Sequence, residues 1–537
     1  MVNRKEQKTA WQVRGCSDTV DGNNSPPGAM TSLANLIPDP STPGVYVCRP
    51  ANTLEIDFTA WEAAPGTVGI ITAALQTSNN VYGLVSITTG AYAGTDYPFA
   101  YNLTTGAFIA VSGITVPKCP VSQATSGDWT PPQMTATGVD LVVTHIGFPG
   151  GAGAYFGWFD VTVLGAPVWQ AGNTGTNPLP SVPQACQQFN NRTYLFCGSS
   201  AYYTDTLAIN MTNSNQSLQV DDYLPVTCAA PLPVSTTSNA ILQGIVCFKV
   251  AKTYLLTGDV VTSNLGLNEV SDSVGTAAPR SAVLTPAGLK VMANDGIRTV
   301  NFWGAMGEPD NDIAMPFIYA VYPSRACATY NADTYRICVQ NQLLGSSPYQ
   351  DWWYNGRYQS WTGPHSFRYD IAIPVSNDFL LASNALPAAL WYSYSVQGHA
   401  GAGVTFTENG TALAFNYETP PMDDLGNIYA NVCTRSTIEI ATPAEGQIYN
   451  FTAQNESGTV LATATLTEPA SEAIWGGFNW GAAKWGASQT GLQPITIPWN
   501  QAVVMNRLSV NAIGPCALGF KIGTLHLGYE QLNYLLN

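Results

Sequence analysis

Residues 190–198 read NNRTYLFCG and residues 331–339 read NADTYRICV. In each, a turn of Asn or Asp type opens a short run whose early tyrosine, Tyr194 or Tyr335, is followed by apolar residues. Asn and Asp tolerate the left-handed backbone of tight hairpins, and Tyr, Ile, Val and Phe suit a pleated, half-buried strand. The unit recurs as SNNVYGLVS (78–86), TGVDLVVTH (137–145), VAKTYLLTG (250–258), PAGLKVMAN (286–294) and SNDFLLASN (376–384). Its central residues, from Tyr82 to Phe379, are separated by 59, 53, 60, 35, 46 and 44 positions. Spacings of a few tens of residues bracket the kelch and WD40 periods, so each unit reads as one blade whose faces are buried by its neighbours. The alternative is a set of β-sandwiches, in which strand–turn–strand echoes also arise. Helical periodicity is nearly absent, which predicts an all-β chain.

Beyond about residue 398 the texture changes. GHAGAGVTF (398–406) reads as a Gly-rich joint. NIYANVCTRSTIEIA (427–441) then alternates, with Ile428, Ala430, Val432, Thr434 and Ser436 on one face. Further strand-like runs at 447–453, 459–467, 493–498, 503–513 and 517–527 predict a second β domain, a sandwich or barrel. At the other end, SPPGAMTSLANLIPDPSTPGVYVCRPA (25–51) carries prolines at 26, 27, 38, 40, 43 and 50. Each fixes φ and removes a donor, so no sustained helix or central strand runs through them. The expected organisation is an extended N-terminal arm (1–60), a β-propeller (61–398) and a C-terminal β domain (399–537). The prolines pre-extend the arm, and Met30, Leu33, Leu36, Ile37 and Val45 give it apolar groups to bury on another surface.

The charged fraction of 10% is far below the roughly 25% of ordinary soluble domains. A secreted or surface protein carries such a balance, and so does a subunit that buries much of its surface against other copies; interface cores, likewise poor in Lys, Glu and Asp, fit the second. Net charge is −15, and Arg4, Lys5, Lys8 and Arg14 concentrate basic groups in the first 14 residues. An acidic body without clustered Lys and Arg does not hold nucleic acid through its phosphates. The opening MVNRKEQKTAWQV lacks the apolar core of a secretory signal, and no run approaches a membrane span. The expectation is therefore a chain that folds where it is made and has no membrane partner. Eleven cysteines without CxxC spacing read as free, buried thiols, with Cys186/Cys197 and Cys327/Cys338 as conceivable cross-strand neighbours.

Catalytic signatures are missing. Four histidines (145, 365, 399, 526) make no HxxxH pair, and GxSxG, GxxxxGK[ST] and GxGxxG are absent. Asp221-Asp222, Asp310-Asn311-Asp312 and Asp423-Asp424 lack calcium-loop spacing and read as solvated turns. No catalytic, cofactor or metal residue is therefore expected, and the chain reads as a non-enzyme. The strongest rival is YQDWWYNGRYQSWTGPHSFRYD (349–370), where Trp352, Trp353, Tyr358 and Trp361 could stack sugars beside Asp351 or Asp370. Large rings equally suit blade cores and subunit contacts. WGGFNWGAAKWG (475–486) spaces Trp475, Trp480 and Trp485 by five, which shares neither a strand face nor a helix stripe. These three read as anchors on a Gly-flexible loop.

DGNNSPPGAMTSLANLIPDPSTPGVYVCRP resembles the opening of the tail nozzle, or tail hub, family of short-tailed bacteriophages, through Pro27, Gly28, Asn35, Leu36, Pro38, Arg49 and Pro50. VGTAAPRSAVLTPAGLKVMANDGIRTV (274–300) is similar to a blade of the same proteins, through Ala278-Pro279-Arg280-Ser281 and Asn294-Asp295-Gly296-Ile297. The Trp-Gly segment and the closing IGTLHLGYEQLNYL resemble their C-terminal ends. This resemblance implies a structural virion protein, assembled in the host cytoplasm. It would form a homo-oligomeric ring, by family habit a hexamer, below the portal. Its partners would be a tail adaptor or head-to-tail connector, tail fibre, spike or needle proteins, and genome DNA sliding through an acidic lumen without specific binding. The assembly contacts it implies are Arg4, Lys5, Lys8, Arg14, Pro27, Leu36, Ile37, Arg49, Trp475, Trp480 and Trp485. A glycan-binding or glycoside-cleaving propeller is the alternative function.

Overall fold

The hairpins expected from the repeat are present in a computed structural model of the chain. It describes residues 7–18, 28–61, 64–114, 130–150, 154–235, 241–260, 264–310, 312–341, 349–383, 388–395, 404–421, 431–441, 447–455, 457–467, 492–501, 503–505, 508–517 and 519–531. The turn pairs that open the two quoted stretches, Asn190-Asn191 and Ala332-Asp333, all have positive φ, between 45° and 61°. Consecutive positive φ values match the twist of a two-residue hairpin, which is why Asn and Asp recur there. Arg192–Cys197 pairs back onto Ala185–Phe189, and Thr334–Gln340 onto Cys327–Asn331.

Seven such antiparallel sheets follow one another, at 68–109, 133–172, 185–219, 228–271, 283–300, 327–365 and 371–393. Five have four strands in chain order, and the fifth has three among the described residues. The seventh takes its fourth strand from far upstream, because Thr53–Asp57 pairs with Ala389–Ser393. First strands of successive sheets touch in a closed ring, from Val68–Thr77 through each sheet to Ile371–Val375 and back to Val68–Thr77. This is a seven-bladed β-propeller whose ring is latched by a strand from the N-terminal region. Tyr82, Tyr194, Tyr254 and Tyr335 are buried between sheets, at 0–2% exposure. The repeat's aromatic is thus the packing anchor between blades.

Six of the seven units lie on the second strand of their blade. In blade four, Tyr254 falls on the third strand, Thr253–Thr257, while the second is Ile241–Phe248. The irregular 60 and 35 spacings come from this offset: counted to Ile245, on the second strand, they become 51 and 44.

The second unit is a two-sheet sandwich. One sheet runs Gln493–Thr496, Asn431–Ala441, Lys521–Gln531, Tyr46–Cys48, Leu36–Pro38, with Gln7–Trp11 also on Lys521–Gln531 and Val503–Met505 also on Asn431–Ala441. The other runs Val460–Thr467, Ile448–Gln454, Ser509–Pro515, Ala414–Glu418, Ser32–Ala34. Ser436, Ile438 and Ile440 continue the expected alternation and are buried. Ile438, Ile522 and Leu525 share one core with Tyr417, Phe451 and Val510 of the facing sheet, and that core extends to Trp352 and Trp361 of blade six.

The expectation of an extended arm that buries its apolar groups on another surface is corrected by this architecture. Four strands between residues 32 and 48 and at 7–11 are woven into the chain's own sandwich, and Thr53–Asp57 belongs to blade seven. Pro38, Pro40, Pro43 and Pro50 are accommodated because the strands at 32–34, 36–38 and 46–48 are only three residues long, with Pro38 at a strand end and the other three between strands.

Candidate functional site

Among the described residues, polar chemistry gathers at the joint between sandwich and blade six, in the aromatic block, at the centre of the propeller and at one acidic pair of blade two.

At the joint, Asn35 adopts φ 56° between two short strands. Its backbone N–H donates to His365 Nδ1 at 2.9 Å, and its side-chain amide donates to the Ala414 carbonyl at 2.8 Å. Its Oδ1 accepts from Arg49 Nε at 2.8 Å. Arg49 then grips Glu408 with both terminal nitrogens, at 3.1 and 3.2 Å, and reaches Ser366 Oγ at 3.0 Å. A fork-on-carboxylate pair of this kind is directional and strong when shielded, and Arg49 is 1% exposed. The expectation that Leu36, Ile37 and Arg49 contact another subunit is therefore corrected, because all three are buried within their own chain. Gly28, from the resemblance, is required at its place: φ is +89° and a Cβ would lie 2.1 Å from the Gln12 carbonyl oxygen. Arg14 is exposed and lines a cleft of about 520 Å³ between the arm strands and Tyr358, Gln359 and Ser360. Arg4, Lys5, Pro27, Trp475, Trp480 and Trp485 lie outside the described residues, as does the side chain of Lys8.

The aromatic block forms the third and fourth strands of blade six, Tyr349–Asn355 and Ser360–His365. Trp352, Trp353 and Trp361 are 4, 2 and 0% exposed, so none offers a face to a sugar. Asp351 is equally committed: it accepts from Arg336 Nη2 at 2.5 Å, Trp353 Nε1 at 2.7 Å and Tyr369 OH at 3.0 Å. Arg336 stacks over Trp353 at 4.1 Å. Asp310 holds Trp361 Nε1 at 2.9 Å, and Tyr358 OH donates to the Pro40 carbonyl at 3.0 Å. This block is core and joint, and the placement of a glycan on it is withdrawn.

At the propeller's centre the first strands enclose a channel of about 240 Å³, lined mainly by alanine, proline and cysteine, with Gln133, Gln187 and Arg280 among them. Burial pushes the Cys186 and Cys228 thiols up to about 12 and Cys327 to about 11, which keeps them protonated and poor nucleophiles at neutral pH. Cys327 and Cys338 are direct cross-strand partners, yet every described cysteine is a free thiol.

One acidic pair was not visible in the sequence. Asp140 and Asp160 face each other across the second and third strands of blade two. Partial burial, then the Asp160 charge, raises the Asp140 carboxyl to about 6, while Thr162 hydrogen bonds lower Asp160. Only the hairpin register unites residues twenty apart in the chain, so no local motif announces them.

Two histidines make the fold acid-sensitive. Burial lowers His145 to about 4, and burial, then Arg49 and Arg336, depresses His365. The unfolded chain takes up these protons first, near pH 6.5, so their contribution is complete above that value and drains away towards pH 4. His145 alone is worth about 3 kcal/mol as an upper figure. Asp140 acts oppositely, favouring the fold at lower pH, but its half-exposed position screens the effect. Melting temperature should fall between pH 6.5 and 4.5, and His145→Gln should flatten that slope; a flat wild-type profile would contradict the burial of both rings.

No family model matches the chain, and no curated protein matches it. Solved structures do. The Dos1 propeller aligns at 8% identity and TM-score 0.36, over 66% of this chain and 90% of that one. An exo-β-1,3-galactanase from Phanerochaete chrysosporium aligns at 10% identity and TM-score 0.27, over 89% of this chain and all of that one. An acylaminoacyl peptidase aligns at 6% identity and TM-score 0.34, over 67% of this chain, and the chain spans only 59% of that protein. The seven-sheet ring defines the class as an all-β propeller protein. The expectation of a chain without catalytic activity is corrected: hydrolases stand among the matched structures, so the architecture gives no ground for excluding catalysis.

Proposed function

We propose that this chain is a subunit of a bacteriophage tail, assembling with further copies into a nozzle or hub ring through which genome DNA passes. The observation that supports the reading most is an apolar ridge at the hairpin ends of blades two and three. Val139, Val163, Leu164 and Leu207 are 51, 61, 51 and 59% exposed. Leu207 lies against Gly138 beside Val139, and Val139 accepts the Val161 N–H two residues before Val163. In a chain with so few charges, adjacent exposed aliphatic groups favour a contact surface. The inter-copy contact assigned from sequence to Leu36, Ile37 and Arg49 moves to this ridge. Substituting Leu164 and Leu207 together by Asp should convert rings to monomers in native mass spectrometry, while the melting temperature stays within a few degrees because both sites are exposed. Rings that persist in this variant would remove the ridge from the assembly.

A second reading, a glycan-binding or glycoside-cleaving propeller, is favoured by Asp140 and Asp160. Cross-strand partners have Cβ atoms about 4.5–5.5 Å apart, compatible with the roughly 5–9.5 Å between glycosidase carboxyls, and their proton affinities are split as acid and base require. Polysaccharide cleavage by the wild type that is lost in a folded Asp140→Asn variant would favour it over the tail reading.

A further inference from the structure

Cys48 closes the strand Tyr46–Cys48, which pairs with Leu36–Pro38 in one sheet of the sandwich, and Cys516 directly follows the strand Ser509–Pro515 of the other. One backbone oxygen fixes them side by side. The Asn35 carbonyl accepts the N–H of Arg49, the residue after Cys48, at 2.9 Å, and the Cys516 thiol at 3.9 Å. The Cys516 N–H donates to the Leu413 carbonyl at 2.9 Å, which holds that strand end in place. Cys48 and Cys516 share one hydrophobic core, at 4% and 8% exposure, and their thiols hydrogen-bond each other. Burial, then the Cys516 thiol, pushes Cys48 well above the ordinary thiol range, so it is protonated at neutral pH. Two sulfurs already in contact need little backbone movement to be bridged. By contrast, Cys327 and Cys338 face each other within one hairpin, where a bond would staple only a short loop.

We propose that Cys48 and Cys516 form an oxidative cross-linking site, at which a low-molecular-weight disulfide of the oxidised glutathione class converts the two thiols into one bond tying the N-terminal segment to the C-terminal strands. Cys516 reacts first, because it is the more exposed and lies beside a surface turn, closed by the Phe520 N–H on the Ala517 carbonyl at 3.2 Å, in which Gly519 is exposed. Its thiolate, having lost its proton to solvent, attacks one sulfur of the reagent and expels the other as a thiolate. The Cys48 thiolate then attacks the Cys516 sulfur of the mixed disulfide and expels the second reagent thiolate. The protein gives up two protons and two electrons, and the reagent takes them up as two thiols. Nearly the whole chain lies between the two cysteines, and in the chain-entropy picture long loops gain most from closure. In a reducing compartment the pair stays as thiols, and in an oxidising medium it becomes a brace.

The test starts from the full chain, reduced and then freed of reductant. It is incubated with oxidised glutathione, its remaining thiols are alkylated, and it is peptide-mapped without reduction. The expected product is a Cys48–Cys516 bond, two hydrogens lighter than the reduced pair. It should form about tenfold faster at about pH 9 than at about pH 7, because the thiolate is the attacking species. The oxidised chain should melt about 4 °C or more above the reduced one, and dithiothreitol should abolish the gain. Cys516→Ala, which keeps Cys48, should show neither the bond nor the gain. Should that variant fail to fold, the wild-type map and its reversal by dithiothreitol decide. Recovery of Cys48 and Cys516 separately alkylated or as glutathione adducts overturns the proposal. So do bonds confined to other cysteine pairs, or an oxidised chain that melts with the reduced one.

Discussion

Removal of residues 1–50 is expected to abolish the cooperative fold of the sandwich, rather than to leave a folded chain lacking an assembly arm. The deletion takes Gln7–Trp11 and Tyr46–Cys48 from one sheet and Ser32–Ala34 from the other. It exposes the backbone edges of Lys521–Gln531 and Ala414–Glu418, which become templates for aggregation. It also strips Met30, Leu33, Leu36 and Ile37, each fully buried, from the core. At about 1.5–3 kcal/mol for each such side chain, the four account for about 6–12 kcal/mol, comparable with the whole stability of a domain, about 5–15 kcal/mol. The Arg49–Asn35–His365 chain of bonds to blade six is lost too, leaving Glu408 without its cation. Calorimetry should show the sandwich transition missing, and the product should be largely insoluble. A soluble product with an undiminished cooperative melt would contradict the intrachain role of this segment. The latch strand Thr53–Asp57 survives the deletion, so the propeller's own ring is expected to remain closed.

Arg336→Ala should be the most damaging single substitution in the propeller. Arg336 and Asp351 are both fully buried, and the same guanidinium donates to Ser393 Oγ of blade seven at 2.6 Å. It is therefore the ionic bolt between blades six and seven. Removing one partner leaves a charge uncompensated in the interior, which costs about 3–5 kcal/mol. The double variant Arg336→Met/Asp351→Leu should recover most of that loss, because apolar replacements of a buried pair are often neutral. Urea midpoints at constant m-value measure both. A single-variant loss below about 1 kcal/mol would mean that the pair behaves as a solvated one.

The propeller was legible because its signal is local. A turn such as Asn190-Asn191 and the strand it starts occupy nine consecutive residues, and the physics that makes them a hairpin acts within that span. Tyr254 misled the spacing because blade four begins with a long strand containing Pro231 and Pro233, Cys228–Ser235, and the apolar run with the repeat's look came one strand later. The pairing of the N-terminal segment is not legible in the sequence, for the opposite reason. Its partners, such as Tyr417 for Leu33 and Ile522 for Tyr46, lie hundreds of residues away. Prolines forbid long strands, but they do not forbid three-residue strands at sheet edges. Trp352 and Trp353 could not be assigned from composition, since a sugar platform and a blade core draw on the same side chains. Cys48 and Cys516 come from distant stretches, and only the closure of the sandwich brings them together.

Electron microscopy of particles that carry this protein tests the central reading most directly. The expected result is a ring of copies coaxial with the tail, in contact through Val139, Val163, Leu164 and Leu207, with each N-terminal segment folded into its own sandwich. Separate monomers with that ridge in solvent, or arms crossing between neighbouring copies, would contradict it.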